Sequence, residues 1–439
     1  MKRSLYDELM RWKDREEHLP ILLRGARQVG KSYLVEHFGK TNFEDVAVAD
    51  FESRPELKEA FTTRDPKEIV TRLEFALRKP IKEEKTLLFL DEIQLCPEVL
   101  ISLRYFKEKM PKLHVIAAGS LLEFLLNEES YSFPVGRVEF LYLRPLSFVE
   151  YLHSVSPLMA ERLEKFDLKH PPSSLEHKEL LKLIRRYLFT GGMPAAVKES
   201  LKEESLLETQ RVHHRILLAY QSDFGKYAKH TQHKYLQIIF QKAPPLITKL
   251  LKFSHIDPDV RSRDLKPALD ILCHAGLFQR ICATTAAGLP LHAHMKDDRF
   301  KLLYLDVGLL QTATKVDATH FFEQDILQIN SGMLAEQYVG QELLAYAEPF
   351  QNAPLLFWER AGGEAEVDYV ISVDSHIIPI EVKAGITGTL RSMHEFLREK
   401  KSRLGVRVSE HPLGLHDNIL SIPFYLMKSL DRLVKSCFS

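Results

Sequence analysis

Residues 21–38 read ILLRGARQVGKSYLVEHF, and this stretch decides the fold. A short apolar run, Ile21 to Leu23, is followed by Gly25-Ala26-Arg27-Gln28-Val29-Gly30-Lys31-Ser32 and then by the helical pattern YLVEHF. Strand, glycine-bounded loop ending in Lys-Ser, and helix are the P-loop pattern in the context it requires. The two glycines let successive backbone N–H groups curl around phosphate oxygens, and the helix that follows presents its positive N-terminus to them. Lys31 is expected to contact the β- and γ-phosphates of a nucleotide, and Ser32 to ligate Mg²⁺.

Working outward, further β-rich runs alternate with helical stretches: Val46 to Ala49, Thr86 to Leu90, Val115 to Ala118 and Val138 to Leu143. Such alternation implies βαβ units and a parallel sheet, hence an α/β fold. TLLFL (86–90) is apolar without alternation, as in a strand covered by helices on both faces. It ends in Asp91-Glu92. Asp91 would hold the magnesium ion, and Glu92 would be the base that polarises an attacking water. HVIAAGS ends at Gly119-Ser120, where Ser120 would meet the γ-phosphate or that water or, equally, form a plain turn after the strand; Arg137 in PVGRVEF would bring positive charge to the transition state, in its own chain or a neighbour's, or be a surface arginine.

At 439 residues, with 45% hydrophobic and 27% charged residues, the chain has core material for about three domains and is not disordered. Its 60 Lys+Arg balance 60 Asp+Glu, so any basic surface is local. Cys96, Cys273, Cys282 and Cys437 show no CxxC or metal-ligand spacing, which fits reduced thiols. No signal peptide or membrane span is evident, and a soluble cytoplasmic protein is expected.

From Pro145 the pattern turns helical until the breakers Gly191-Gly192-Met193-Pro194, and a first domain is expected over 1–205. A mainly helical second unit follows over 206–318, with strand-like stretches at Phe278 to Cys282 and Phe300 to Leu305. Residues 211–270 hold 11 Lys/Arg against 5 Asp, with His213, His214, His230, His233 and His255 interspersed. Helices and a strand pair carrying such an excess suggest a winged-helix-like DNA-binding unit or, equally, a packing surface; the histidines lack metal spacing.

The last unit, 319–439, is α/β. Asp368 lies in EVDYVI, and Glu381-Val382-Lys383 follows 13 residues later, a spacing at which a hairpin brings both acids together. Two acids would share a divalent ion, Lys383 would orient a water, and Glu336 on the preceding helix would add a third carboxylate.

Together GARQVGKS, LDEIQ, AAGS, PVGR, LRPLSFVEYL and GGMP resemble a prokaryotic AAA-type P-loop ATPase family over nearly the whole chain. The resemblance implies an additional-strand P-loop core with a helical lid, and it adds Arg27, Gln28, Ser120 and Arg137 to the site. Ser120 stands where asparagine or threonine is commoner. The C-terminal domain resembles the PD-(D/E)XK nuclease fold. The expected function is ATP binding and Mg²⁺-dependent hydrolysis coupled to a DNA-binding or nuclease-like C-terminal half, which would hold a second divalent cation. The alternative is a slow ATP-dependent switch acting through a protein partner or its own oligomer, with a catalytically inactive C-terminal half. A small-molecule kinase fits less well, because Glu92 suits attack by water.

Overall fold

The computed structural model describes residues 1–438 except 121–135, 203–205, 228–231, 316–330, 353, 361, 364 and 386–387. The expected domain limits at 205/206 and 318/319 therefore involve residues outside the described ones, as does His230.

The first sheet is built from β1 (Ile21–Arg24), β2 (Asp45–Asp50), β3 (Thr86–Asp91), β4 (His114–Ala118) and β5 (Glu139–Tyr142), in the order β2-β3-β4-β1-β5. All four pairings are parallel. Successive side chains point to opposite faces, and both faces are covered. Ile21, Leu23, Phe89 and Ile116 join one apolar core, while Leu22, Leu88, Leu90 and Val115 join the other. Every residue of β3 is buried, so the unalternating run TLLFL is an inner strand. β4 lies between the P-loop strand and the Asp91 strand. This is a P-loop NTPase sheet with an additional strand, and it puts the C-terminal ends of β1, β3 and β4 side by side.

Helices Phe148–Val155, Ser174–Thr190 and Pro194–Ser200 pack beside this sheet. Two of them start with capping boxes, Ser147 with Glu150 and Ser173 with Glu176, which satisfy N-terminal backbone donors. The GGMP segment is fixed by a carboxylate from far along the chain. Asp306, fully buried, accepts from Gly192 N at 2.6 Å and caps the helix Val307–Ala313 through Gly308 N and Leu309 N. A β-carbon on Gly191 would lie on Asp306 Oδ1, so glycine is required there.

The middle segment contains the expected helices, including Leu206–Ser222, His233–Lys242 and Ser262–His274, followed by the hairpin β6 (Phe278–Thr284) and β7 (Met295–Tyr304). That hairpin is not a free wing. β6 pairs in parallel with β8 (Leu355–Glu359), and β8 pairs with β9 (Glu366–Val367), giving a sheet in the order β7-β6-β8-β9. The strand pair of the second expected unit is thus hydrogen-bonded into the third. After Asp368 the chain enters a second C-terminal sheet, β10 (Tyr369–Val373), β11 (His376–Val382), β12 (Gly405–Ser409), β13 (Gly414–His416) and β14 (Ile419–Pro423), in the order β10-β11-β12-β14-β13. Among the described residues no helix is long and apolar enough to cross a membrane.

Candidate nucleotide site and a second buried charge cluster

The loop after β1 has the backbone its glycines allow. Gly25 has φ +148°, and a β-carbon there would meet Leu143 O at 2.3 Å; Gly30 has φ +96°. Only glycine fits either position without strain. Buried Val29 anchors the loop, and the helix Lys31–Asn42 starts at its end. Lys31 is buried, and its Nζ donates to Gly25 O at 2.9 Å and Ala26 O at 3.0 Å. These are neutral acceptors. Burial, only partly offset by Glu92 and Asp91, pulls its ammonium down to about 8.

Ser32 Oγ donates to Asp91 Oδ2 at 2.5 Å, bringing the two expected Mg²⁺ ligands into contact. Burial raises the Asp91 carboxyl to about 6. Glu92 has a left-handed backbone, φ +54°, uncommon for a residue other than glycine and frequent at functional sites. Its Oε2 accepts from Gln94 Nε2 and, at 3.4 Å, from Ser120 Oγ. The structure therefore brings Lys31, Ser32, Asp91, Glu92 and Ser120 to one edge of the sheet.

It does not bring Arg137 there. Arg137 precedes β5, whose Glu139 pairs with Ile21 at the start of β1, and Leu143 N bonds Arg24 O beside the P-loop. Six residues of strand, roughly 20 Å, separate Arg137 from the phosphate-binding loop of its own chain. It is bonded instead to Glu108 at 2.9 Å. At that distance it stands apart from the residues gathered at the phosphate-binding loop of its own chain. Arg27 is also engaged: it ion-pairs with Asp223, while Tyr220 Oη donates to Arg27 O at 3.1 Å. Gln28 is exposed.

Beside the loop lies a cavity of about 900 Å³, lined by Tyr6, Gly30, Tyr33, Leu34, His37 and Pro194 among others. Its walls are mainly apolar and aromatic, suited to a nucleobase. No sequence motif points to it, because its lining comes from the helices Leu5–Lys13, Lys31–Asn42 and Pro194–Ser200.

The C-terminal acids also converge. Asp368 lies between β9 and β10 and accepts from Val382 N at 2.7 Å; Glu381 Oε1 accepts from Lys383 Nζ at 2.8 Å. Glu336 accepts from Lys301 Nζ at 3.0 Å, and Glu366 reaches the same ammonium at 2.5 Å. Burial raises the carboxyls of Glu336 to about 8 and Glu381 to about 7, the latter also through Asp368; Asp368 itself is raised by burial. The second oxygen of Glu381 is buried without a donor among the described residues. Burial alone would lower Lys301, but Glu336, Asp368 and Glu366 raise it. Among the described residues no three His, Cys, Asp or Glu side chains are arranged to hold a metal ion. Lys301, from β7, thus sits among the acids of the divalent site expected over Glu336, Asp368, Glu381 and Lys383. Two signals in the sequence pointed to it, a charged residue inside the apolar run FKLLYL and the Glu-x-Asp spacing that sets Glu366 and Asp368 on one strand face.

The histidines of the basic segment are scattered. His213 is buried, between Thr190 O at 2.9 Å and Thr312 Oγ1 at 3.1 Å, and burial lowers it to about 4. His214 and His255 are exposed and His233 is half-buried. Arg261, Arg263 and Lys266 are exposed at the start of the helix Ser262–His274.

Residues 17–152 match the model of an AAA domain. Residues 181–320 and 331–426 each match a domain of unknown function (DUF8612 and DUF4143). No curated protein matches the chain. Among solved structures, AMPPCP-bound DnaA from Aquifex aeolicus is 13% identical over 62% of this chain and 85% of that one, with a TM-score of 0.28. RuvB from Thermotoga maritima is 15% identical over 63% and 88%, also at 0.28. A signal-transduction ATPase with a tetratricopeptide-repeat sensor from Pyrococcus horikoshii is 14% identical over 78% and 45%, at 0.27. Scores this low carry nothing beyond a distant likeness, so the AAA-domain match and the site geometry bear the weight.

Proposed function

With an AAA domain of the P-loop ATPase class as its N-terminal part, we propose that this chain binds ATP and hydrolyses it with water, and that nucleotide state is relayed to a DNA-binding surface on the middle segment. The observation that carries the hydrolytic reading is the joining of Ser32, Asp91, Glu92 and Ser120 beside Lys31. Ser32 and Asp91 fit a magnesium ion and would hold it; bound with ATP, the ion neutralises phosphate charge. Lys31 exchanges its two carbonyl partners for the β- and γ-phosphate oxygens. Glu92 takes the proton as water oxygen bonds to the γ-phosphorus and the bond to the β-phosphate oxygen breaks, and Ser120 orients that water. The apolar cavity lined by Tyr33 and His37 takes the adenine.

The relay has a structural basis in the contacts of the P-loop with the middle segment. Arg27 is tied to Asp223 and Tyr220, and a β-carbon on Gly276 would stand 3.0 Å from the Ala26 β-carbon. A loop that moves on binding phosphate moves against these residues. The exposed Arg261, Arg263 and Lys266 supply the charge that meets DNA phosphates. A second reading, a switch acting through protein partners with an inactive C-terminal half, is favoured by one observation, the Lys301 ammonium among the C-terminal carboxylates.

Phosphate release and ATP binding, measured together, test the hydrolytic reading. Lys31→Ala should abolish release and weaken binding. Glu92→Gln should keep ATP bound while turnover falls by about 10²-fold or more, as on loss of a general base. Equal loss of binding in both variants would contradict the roles assigned.

A further inference from the structure

Lys301 is 1% exposed, sits on a strand contributed by the middle segment, and ends among carboxylates of the C-terminal domain. Its Nζ lies 3.0 Å from Glu336 Oε1, 2.5 Å from Glu366 Oε1, and 5.0 Å from the centre of the Phe357 ring. Asp368 faces the same charge, and Glu381 is bonded to Lys383 at 2.8 Å. We propose that the Lys301 ammonium is the resident cation of this cluster, in the place a divalent ion would take in a nuclease of similar fold, and that the domain is a metal-independent module locked to the middle hairpin.

Three observations support it. A divalent ion needs several oxygens within about 2.0–2.6 Å, and Glu336, the acid that would complete such a set, is already turned to Lys301. The backbone of Lys301 is held on both sides, by Ile281 in β6 and by a bridge to Leu250, and its ammonium by Glu336 and Glu366. A metal beside this ammonium would be repelled at short range in a buried site. The aromatic face of Phe357 adds a further contact suited to an ammonium. The lock also explains the shared sheet: β6 and β7 are joined to the C-terminal strands by hydrogen bonds at β8 and by charge at Lys301.

The probe is Mn²⁺, followed by loss of its free paramagnetic resonance signal, with the full nucleotide-free chain in an Asp91→Asn background so that the P-loop contributes nothing. The chain with Lys301 in place should take up no Mn²⁺, and Lys301→Arg should behave alike. Lys301→Ala should take up one ion per chain, and adding Asp368→Asn should abolish that uptake. Uptake of one ion with Lys301 in place, abolished by Asp368→Asn, overturns the proposal; so does a folded Lys301→Ala chain that takes up none. If Lys301→Ala does not fold, the pair with Lys301 in place decides. Plasmid nicking supported by Mn²⁺ and absent in Asp368→Asn would overturn it equally, whatever the state of the ATPase.

Discussion

Among the described residues two lysines are buried beside carboxylates, Lys31 and Lys301, and they are set up in opposite ways. Lys31 is hydrogen-bonded to two neutral carbonyls and its ammonium is pulled down to about 8 by burial; Lys301 is bonded to two carboxylates, and its charge is favoured despite burial. The first lysine lacks negative charge, which a triphosphate supplies. The second has more than it needs. A buried lysine in a pattern of acids therefore says little by itself, and the partners of its three hydrogens decide whether it awaits a ligand or closes a structure.

The strongest way to break this comparison is stability. Lys301→Met leaves buried acids without their cation and should lower folding stability by about 3–5 kcal/mol, read as a shift of the urea midpoint. Lys31→Met removes a charge that burial disfavours and should leave the midpoint unchanged or raise it. Equal losses would erase the distinction.

His213 offers a further test, being a buried titratable group whose two hydrogen-bond partners, Thr190 O and the Thr312 hydroxyl, are neutral. Its folded value, about 4, lies below the ordinary 6.5. Above pH 6.5 the histidine is neutral folded or unfolded and adds no pH dependence. As pH falls from 6.5 toward 4, the unfolded chain gains a proton that the folded one refuses, and stability drops by at most roughly 3 kcal/mol. His213→Gln should flatten that decline in urea titrations run across this window. An unchanged slope would mean that other groups cause it.

The smallest effect belongs to charges that were never buried. Reversing Arg261, Arg263 or Lys266 to Glu should weaken duplex DNA binding and flatten its dependence on salt, by about 0.9 in the log–log slope for each phosphate no longer neutralised. An unchanged slope would assign these residues to binding protein.

Much of the fold was legible, because period and punctuation are local signals. All five strands of the first sheet lie within a residue or two of the apolar runs that announced them, and the site residues share one edge because a βαβ pattern makes the strands parallel. Less was legible where partners lie far apart in sequence. Pairing of β6 with β8 joins residues separated by more than seventy positions across an expected domain limit, and no local pattern encodes it. Lys301 meets Glu336 and Glu366 by the same route. GGMP showed a helix break, but its tie to Asp306, over a hundred residues on, became visible only in the structure. Arg137 stands in the sequence beside phosphate-binding motifs, yet strand direction sets it at the far end of the sheet.

The contrast between the two lysines is tested most directly by calorimetric titration of ATP with Mg²⁺ into the wild-type chain, Lys31→Ala and Lys301→Arg. The expected result is one ATP per chain for wild type and Lys301→Arg, with affinities within about twofold, and markedly weaker binding for Lys31→Ala. Full ATP affinity in Lys31→Ala, or its loss in Lys301→Arg, would contradict it.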